Sequence, residues 1–78
     1  MDMSEITVDV SHLTRWSIDQ ARRVQEEGTA EVIDGTLCDI QTAAAVVAVF
    51  EALTPEHKRV AETLEFARFG KFAWSHVA

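Results

Sequence analysis

The sequence predicts a mainly α fold: a small three- to four-helix domain around a central apolar helix, with a short N-terminal strand or a β-hairpin as its extended structure. Three observations carry this prediction. From Asp39 to Leu53 the chain contains no glycine or proline and is apolar at nearly every position, and a helix apolar all round must be buried on most sides. Thr54-Pro55-Glu56 then supplies a hydroxyl cap, a first-turn proline and a first-turn acid. On either side of this segment apolar residues recur at three- and four-residue spacing. With 47% apolar and 26% charged residues, the chain belongs with folded rather than disordered sequences. Its 78 residues have room for one core, so residues 1–78 are read as a single domain.

The elements follow in order. Ile6, Val8 and Val10 alternate with Thr7 and Asp9, the period of a half-buried strand, and residues 1–10 are read as extended or loosely ordered. Ser11 is the expected N-cap of a first helix from His12 to Glu27, with Leu13, Trp16 or Ser17, Ala21 and Val24 at helical spacing and Gly28 as the stop. Asp34-Gly35, between Val32-Ile33 and Leu37, suits a two-residue hairpin turn, in which both central residues need positive φ, although a simple loop fits these short flanks as well. Asp39 can cap the central helix through its carboxylate. The third helix, from Pro55, either continues to Arg68 or breaks near Thr63 and restarts. Phe66, Phe69 or Gly70, Ala73 and Val77 then mark a short closing helix that carries Phe72 and Trp74.

Charge and cysteine content exclude several classes of function. The net charge of −6 arises wholly in residues 1–39, which hold nine acids against three arginines, whereas residues 40–78 hold four charges of each sign. This balance opposes binding to nucleic acid, where affinity comes from neutralising phosphates with Lys and Arg. The longest strictly apolar run, Ala43 to Phe50, is far shorter than the roughly 20 residues that cross a bilayer, so neither nucleic acid nor membrane is an expected partner. The single cysteine, Cys38, permits no internal disulfide. Together with an N-terminus lacking a signal-peptide pattern, this places the protein in the cytoplasm.

No set of residues has the pattern of a catalytic or metal centre. Cys38 with a histidine could form a nucleophile and base, but no oxyanion-hole glycine cluster accompanies it, and it reads as a structural thiol. His12, His57 and His76 are scattered without ligand spacing. The three glycines form no phosphate loop. Arg68 and Lys71, interleaved with Phe66, Phe69, Phe72 and Trp74, could form a stacking surface for single strands; at this spacing the aromatics read first as core. The expectation is a protein without catalytic activity, cofactor or metal.

Asp34-Gly35-Thr36-Leu37-Cys38-Asp39, then Gln41-Thr42-Ala43, and Val46 through Phe50 leading into Glu51-Ala52-Leu53-Thr54-Pro55-Glu56, resembles small proteins encoded by actinobacterial phages and prophages. In these a DG-L-D-TA segment leads into an apolar helix, an AL-PE step and a closing aromatic pair like Ala73-Trp74. The resemblance covers roughly residues 32 to 76. It implies a small accessory protein acting in a bacterial host cytoplasm by binding host or phage proteins, and it transfers no site residue.

At 100° per residue, the central helix carries one apolar stripe of Ile40, Ala43, Ala44, Val47 and Phe50 or Glu51 and a second of Ala45, Val46, Val49 and Leu53. The first helix and the Pro55 helix are expected to cover one stripe only. The expected function is therefore a protein-interaction module that pairs as a homodimer, with Ala45, Val46, Val49, Leu53, Phe72 and Trp74 as candidate interface, and a host or phage protein as further partner. An alternative is an acidic DNA mimic that inhibits a nucleic-acid-binding protein, which would require the acids of residues 1–39 to lie along one face.

Overall fold

A computed structural model describes residues 14–77; the alternating segment at Ile6, Val8 and Val10 and the proposed cap Ser11 lie outside the described residues. The element order is α1 (Ile18–Glu27), β1 (Glu31–Ile33), β2 (Thr36–Cys38), α2 (Ile40–Ala52), α3 (Pro55–Thr63) and α4 (Phe66–Val77). The mainly helical fold with a small hairpin agrees with the sequence prediction.

The first helix begins later than its periodicity suggests. Ser17, not Ser11, is the N-cap: its backbone N–H donates to Gln20 Oε1 at 2.8 Å, and its hydroxyl accepts from the first-turn backbone, the reciprocal arrangement of a capping box. Thr14 to Trp16 are not helical, because this stretch is held elsewhere. Arg15 N–H donates to the Glu62 carbonyl at 2.8 Å, and the buried Trp16 indole donates to the Leu64 carbonyl at 3.2 Å. The helix ends at Gly28, whose φ of 65° is left-handed, a conformation glycine adopts without steric cost.

Asp34-Gly35 does close a two-residue hairpin. Both residues have positive φ, 50° and 75°, and the strands pair antiparallel as Glu31↔Cys38, Val32↔Leu37 and Ile33↔Thr36. The side chain of Asp34 reaches beyond the turn, because its Oδ2 accepts the Phe66 N–H at 3.1 Å and lies 3.3 Å from Arg15 Nε. The turn therefore supplies the N-terminal cap that α4 lacks in its own sequence, satisfying one of the orphan donors of that helix start.

Asp39 caps α2 by accepting the Thr42 N–H at 2.7 Å. Parts of the two stripes expected on α2 merge into one buried band, while Ile40 and Ala44 of the first stay exposed. Ala45, Val49, Val46, Phe50 and Ala43 are all buried, an arc of roughly 160° at 100° per residue, with Val47 and Leu53 partly buried against the core. Ile40, Gln41, Ala44, Ala48, Glu51 and Ala52 form the exposed remainder. The sequence reading assigned too little cover: α4 and α1 together enclose this band, while α3 touches α2 only lightly. α4 can do so because α3 stops at Thr63, letting the chain turn at Leu64 and pack Phe66, Phe69, Gly70 and Ala73 inward.

The core centres on four aromatics. Trp16 meets Phe66 at 5.1 Å between ring centroids and Phe50 at 6.1 Å, both edge-on, and Phe69 at 5.4 Å, while Phe50 and Phe69 lie edge-on at 6.4 Å. Such pairs each contribute about 0.5–1.5 kcal/mol beyond their buried area.

Two stability predictions follow from these placements. Asp34→Gly relaxes the positive-φ position yet removes the carboxylate that caps α4, so stability should fall by about 1–2 kcal/mol in urea titration followed by circular dichroism; a rise would mean that turn strain outweighs the cap. Gly70 lies within α4 in ordinary helical conformation, and a Cβ added there would meet Thr42 Cγ2 at 3.9 Å, a normal contact. Gly70→Ala should therefore raise stability by about 0.5–1 kcal/mol, read as an increased melting temperature.

Candidate functional site

Many polar groups of the described fold hold it together. Arg23 makes a two-point pair with Glu31, both contacts at 2.8 Å, and the guanidinium holds the Glu31 carboxyl below its ordinary pKa. Arg22 bridges Asp19 on its own helix and Glu51 of α2, lowering the Glu51 pKa chiefly through that side-chain hydrogen bond. Asp39 is lowered by the Thr42 N–H that it caps. Glu62 Oε2 accepts the Ile18 N–H at 2.9 Å, capping α1 from α3. Of the described acids before α2, Asp19, Glu31, Asp34 and Asp39 are thus in ion pairs or caps, leaving Glu26 and Glu27 at the end of α1 outside ion pairs.

Cys38 is fully buried, deeper than the half-buried position expected from its place beside a cap. Burial first, then the nearby Asp39 and Glu31 carboxylates, push its thiol from near 9 up to about 11, the opposite of what activates a nucleophile. Among the described residues no three His, Cys, Asp or Glu side chains converge as a metal site. His76 Nδ1 lies 3.0 Å from the Phe72 carbonyl, with its ring centroid 4.2 Å from that of Phe72 and tilted by 46°.

Several large apolar side chains are exposed. Val32 and Leu37, a cross-strand pair, are 66% and 67% exposed; Val60, Phe72, Trp74 and Val77 lie between 40% and 55%. They flank α4 on two sides. On one, Leu53, His57, Val60, Leu64 and Phe72 line a groove of about 250 Å³ between α3 and α4. On the other, Thr36, Leu37, Thr42, Gly70, Lys71 and Trp74 border a shelf of about 380 Å³ between hairpin and helix, where Trp74 Nε1 donates to Thr42 Oγ1 at 3.2 Å and is held in place.

The six candidate interface residues divide accordingly. Ala45, Val46 and Val49 are inside the chain's own core and Leu53 is partly buried against it, a correction to their reading as a free stripe, because α4 and α1 together enclose the central helix. Phe72 and Trp74 are surface residues on opposite sides of α4. Phe66 and Phe69 are core, so only part of the aromatic tail is exposed. Val32 and Leu37 were missed, although period-two alternation from the Asp-Gly turn places them together on the face opposite Ile33. No family model, curated protein or solved structure matches the chain. Among the described residues no helix is long and apolar enough to cross a membrane.

The thiol yields a prediction. Cys38 should react with an aromatic disulfide reagent orders of magnitude more slowly in native buffer than in denaturant, measured by absorbance of the released thiolate. Because the fold favours the neutral thiol, its contribution to stability is retained below pH 9 and lost as pH rises from about 9 to about 11. A Cys38→Ala variant should lose less stability over that interval, as read from melting temperatures at each pH.

Proposed function

We propose that this chain is a small accessory protein of the phage type, without catalytic activity, that works in a bacterial cytoplasm as a protein-interaction module and pairs with itself. The observation that carries this reading is the groove between α3 and α4, where Val60, Leu64 and Phe72 remain solvent-exposed around an almost wholly apolar surface. An exposed apolar patch on a small domain marks an interaction surface, and aromatic residues are enriched where binding energy is concentrated. The absence of an activated thiol or converging ligands among the described residues leaves this groove the better supported site. A twofold pairing would bring each copy's Phe72 against the other's groove, and symmetric dimers are the commonest closed assembly. The resemblance to phage and prophage proteins supports the same class of function, with a host or phage protein as further partner.

Sedimentation equilibrium tests the pairing. The wild-type chain should be dimeric at about 100 μM, a concentration at which even weak association is visible, and Phe72→Glu should be monomeric with an unchanged circular dichroism spectrum. Val49→Glu should instead unfold the chain, since it buries an unpaired carboxylate at a cost of several kcal/mol. A monomeric wild type would sink the reading of this groove as a self-association surface.

A further inference from the structure

The shelf on the other side of α4 differs from the groove in its charge and in the backbone beside it. Lys71 borders it, and Arg68 lies one turn away on the same exposed side of the helix. Neither is in an ion pair among the described residues, whereas Arg15, Arg22, Arg23 and Lys58 each have an acidic partner. α4 itself contains no acid. Of the acids on the flanking turns, Asp34 and Glu65 face Arg15, and Asp39 accepts the Thr42 N–H. The shelf also runs beside a strand edge. A two-residue turn with positive φ at Asp34 and Gly35 makes Ile33↔Thr36 and Glu31↔Cys38 the hydrogen-bonded pairs on either side of Val32↔Leu37, so the Leu37 N–H and C=O point away from β1. Among the described residues no further strand joins β2 on that side.

We infer that the shelf between β2 and α4 takes an acidic, extended peptide of another protein, added as a strand along β2. Each feature of this occupant follows from one feature of the shelf. It is extended because Leu37 offers one outward donor and one outward acceptor, the pair that a strand residue opposite would satisfy, and main-chain bonds of this kind supply affinity when a peptide joins a sheet edge. It is apolar at the position opposite Leu37, because a side chain there prolongs the exposed cross-strand row of Val32 and Leu37. It is acidic at the positions before and after, because successive side chains of a strand face opposite ways, and these turn to the face of Thr36, which borders the shelf together with Lys71 and Trp74. There the uncompensated charges of Lys71 and Arg68 complement a carboxylate. The inference stands apart from self-pairing through the α3–α4 groove, since it uses the other side of α4.

The probe is a blocked peptide of about six residues, the usual length of a strand, alternating valine and glutamate, titrated into the isotope-labelled full chain and read by NMR. Saturable shift changes are expected at Leu37, Lys71 and the Trp74 indole, with Glu26 and Val60 unmoved, and the Leu37 amide should exchange with solvent more slowly once the peptide is bound. Two altered peptides keep the test on the wild-type chain. N-methylation of the valines, which removes the donors that face Leu37, should abolish the changes, and so should lysine in place of glutamate. Combined Arg68→Glu and Lys71→Glu, both at exposed positions, should weaken binding by about tenfold while the spectrum stays dispersed. Phe72→Glu should bind the peptide as the wild type does, which keeps a failure of self-pairing distinct from a failure at the shelf. No saturable change up to about 1 mM peptide, equal binding of the N-methylated peptide, or binding that survives the double charge reversal would each overturn the inference. So would shifts centred on Val60 and Phe72, a single-stranded oligothymidylate that occupies the shelf more tightly than the peptide, or a Leu37 amide already protected from exchange in the free chain.

Discussion

The fold depends on Trp16 being clasped over the joint between α3 and α4. Its ring lies against Phe50, Phe66 and Phe69, and its indole N–H reaches the Leu64 carbonyl. Residues on either side strengthen the same place: Arg15 donates to the Glu62 carbonyl, and Ile18 donates to the Glu62 carboxylate. A helix end exposes carbonyls with no partner of their own, and here one of them receives the indole. The chain can turn at Leu64 because the groups freed by the break are met by a segment some 48 positions away. If the turn were lost, α4 would not return across α2, and the buried band of the central helix would have no cover.

Electrostatics serve the same end. Two helix starts are completed from other elements, α1 by Glu62 and α4 by Asp34. These carboxylates each tie sequence-distant segments together while satisfying backbone donors that would otherwise remain open. Arg15, Arg22 and Arg23 hold acids of the hairpin, α1 and α2. Surface ion pairs are individually weak, so the significance of this set lies less in stability than in what it leaves over. The acids of the described first half are largely partnered, and the unpartnered charges on α4 are positive.

A small domain with one core cannot hide all its apolar residues. This one buries the wide band of α2 and then exposes apolar side chains along both flanks of α4, the helix that provides the cover. The same helix thus closes the core with Phe66, Phe69 and Ala73 and presents Phe72 and Trp74 outward. Because successive aromatics on one helix fall on different sides, some close the core while their neighbours stay at the surface.

Local chemistry was legible in the sequence. The Asp-Gly turn, the Asp39 and Thr54 caps, the proline at the start of α3 and the buried character of α2 each follow from a few adjacent residues, and each is found where that chemistry places it. The start of α1 was misread, since Leu13, Trp16 and Ala21 satisfy helical spacing although Trp16 precedes the helix and serves a distant joint. Whether α3 ends at Thr63 was undecidable from sequence, because no glycine or proline stands there to force the break. Of the six candidate residues Phe72 and Trp74 are exposed, but Ala45, Val46 and Val49 could be recognised as core only once α4 and α1 were seen to enclose them. Caps and turns are decided by partners within a few residues, so sequence alone determines them. Helix breaks held by Trp16, Glu62 and Asp34, and the choice of which apolar stripe is covered, depend on contacts dozens of residues apart, and only the tertiary structure decides those.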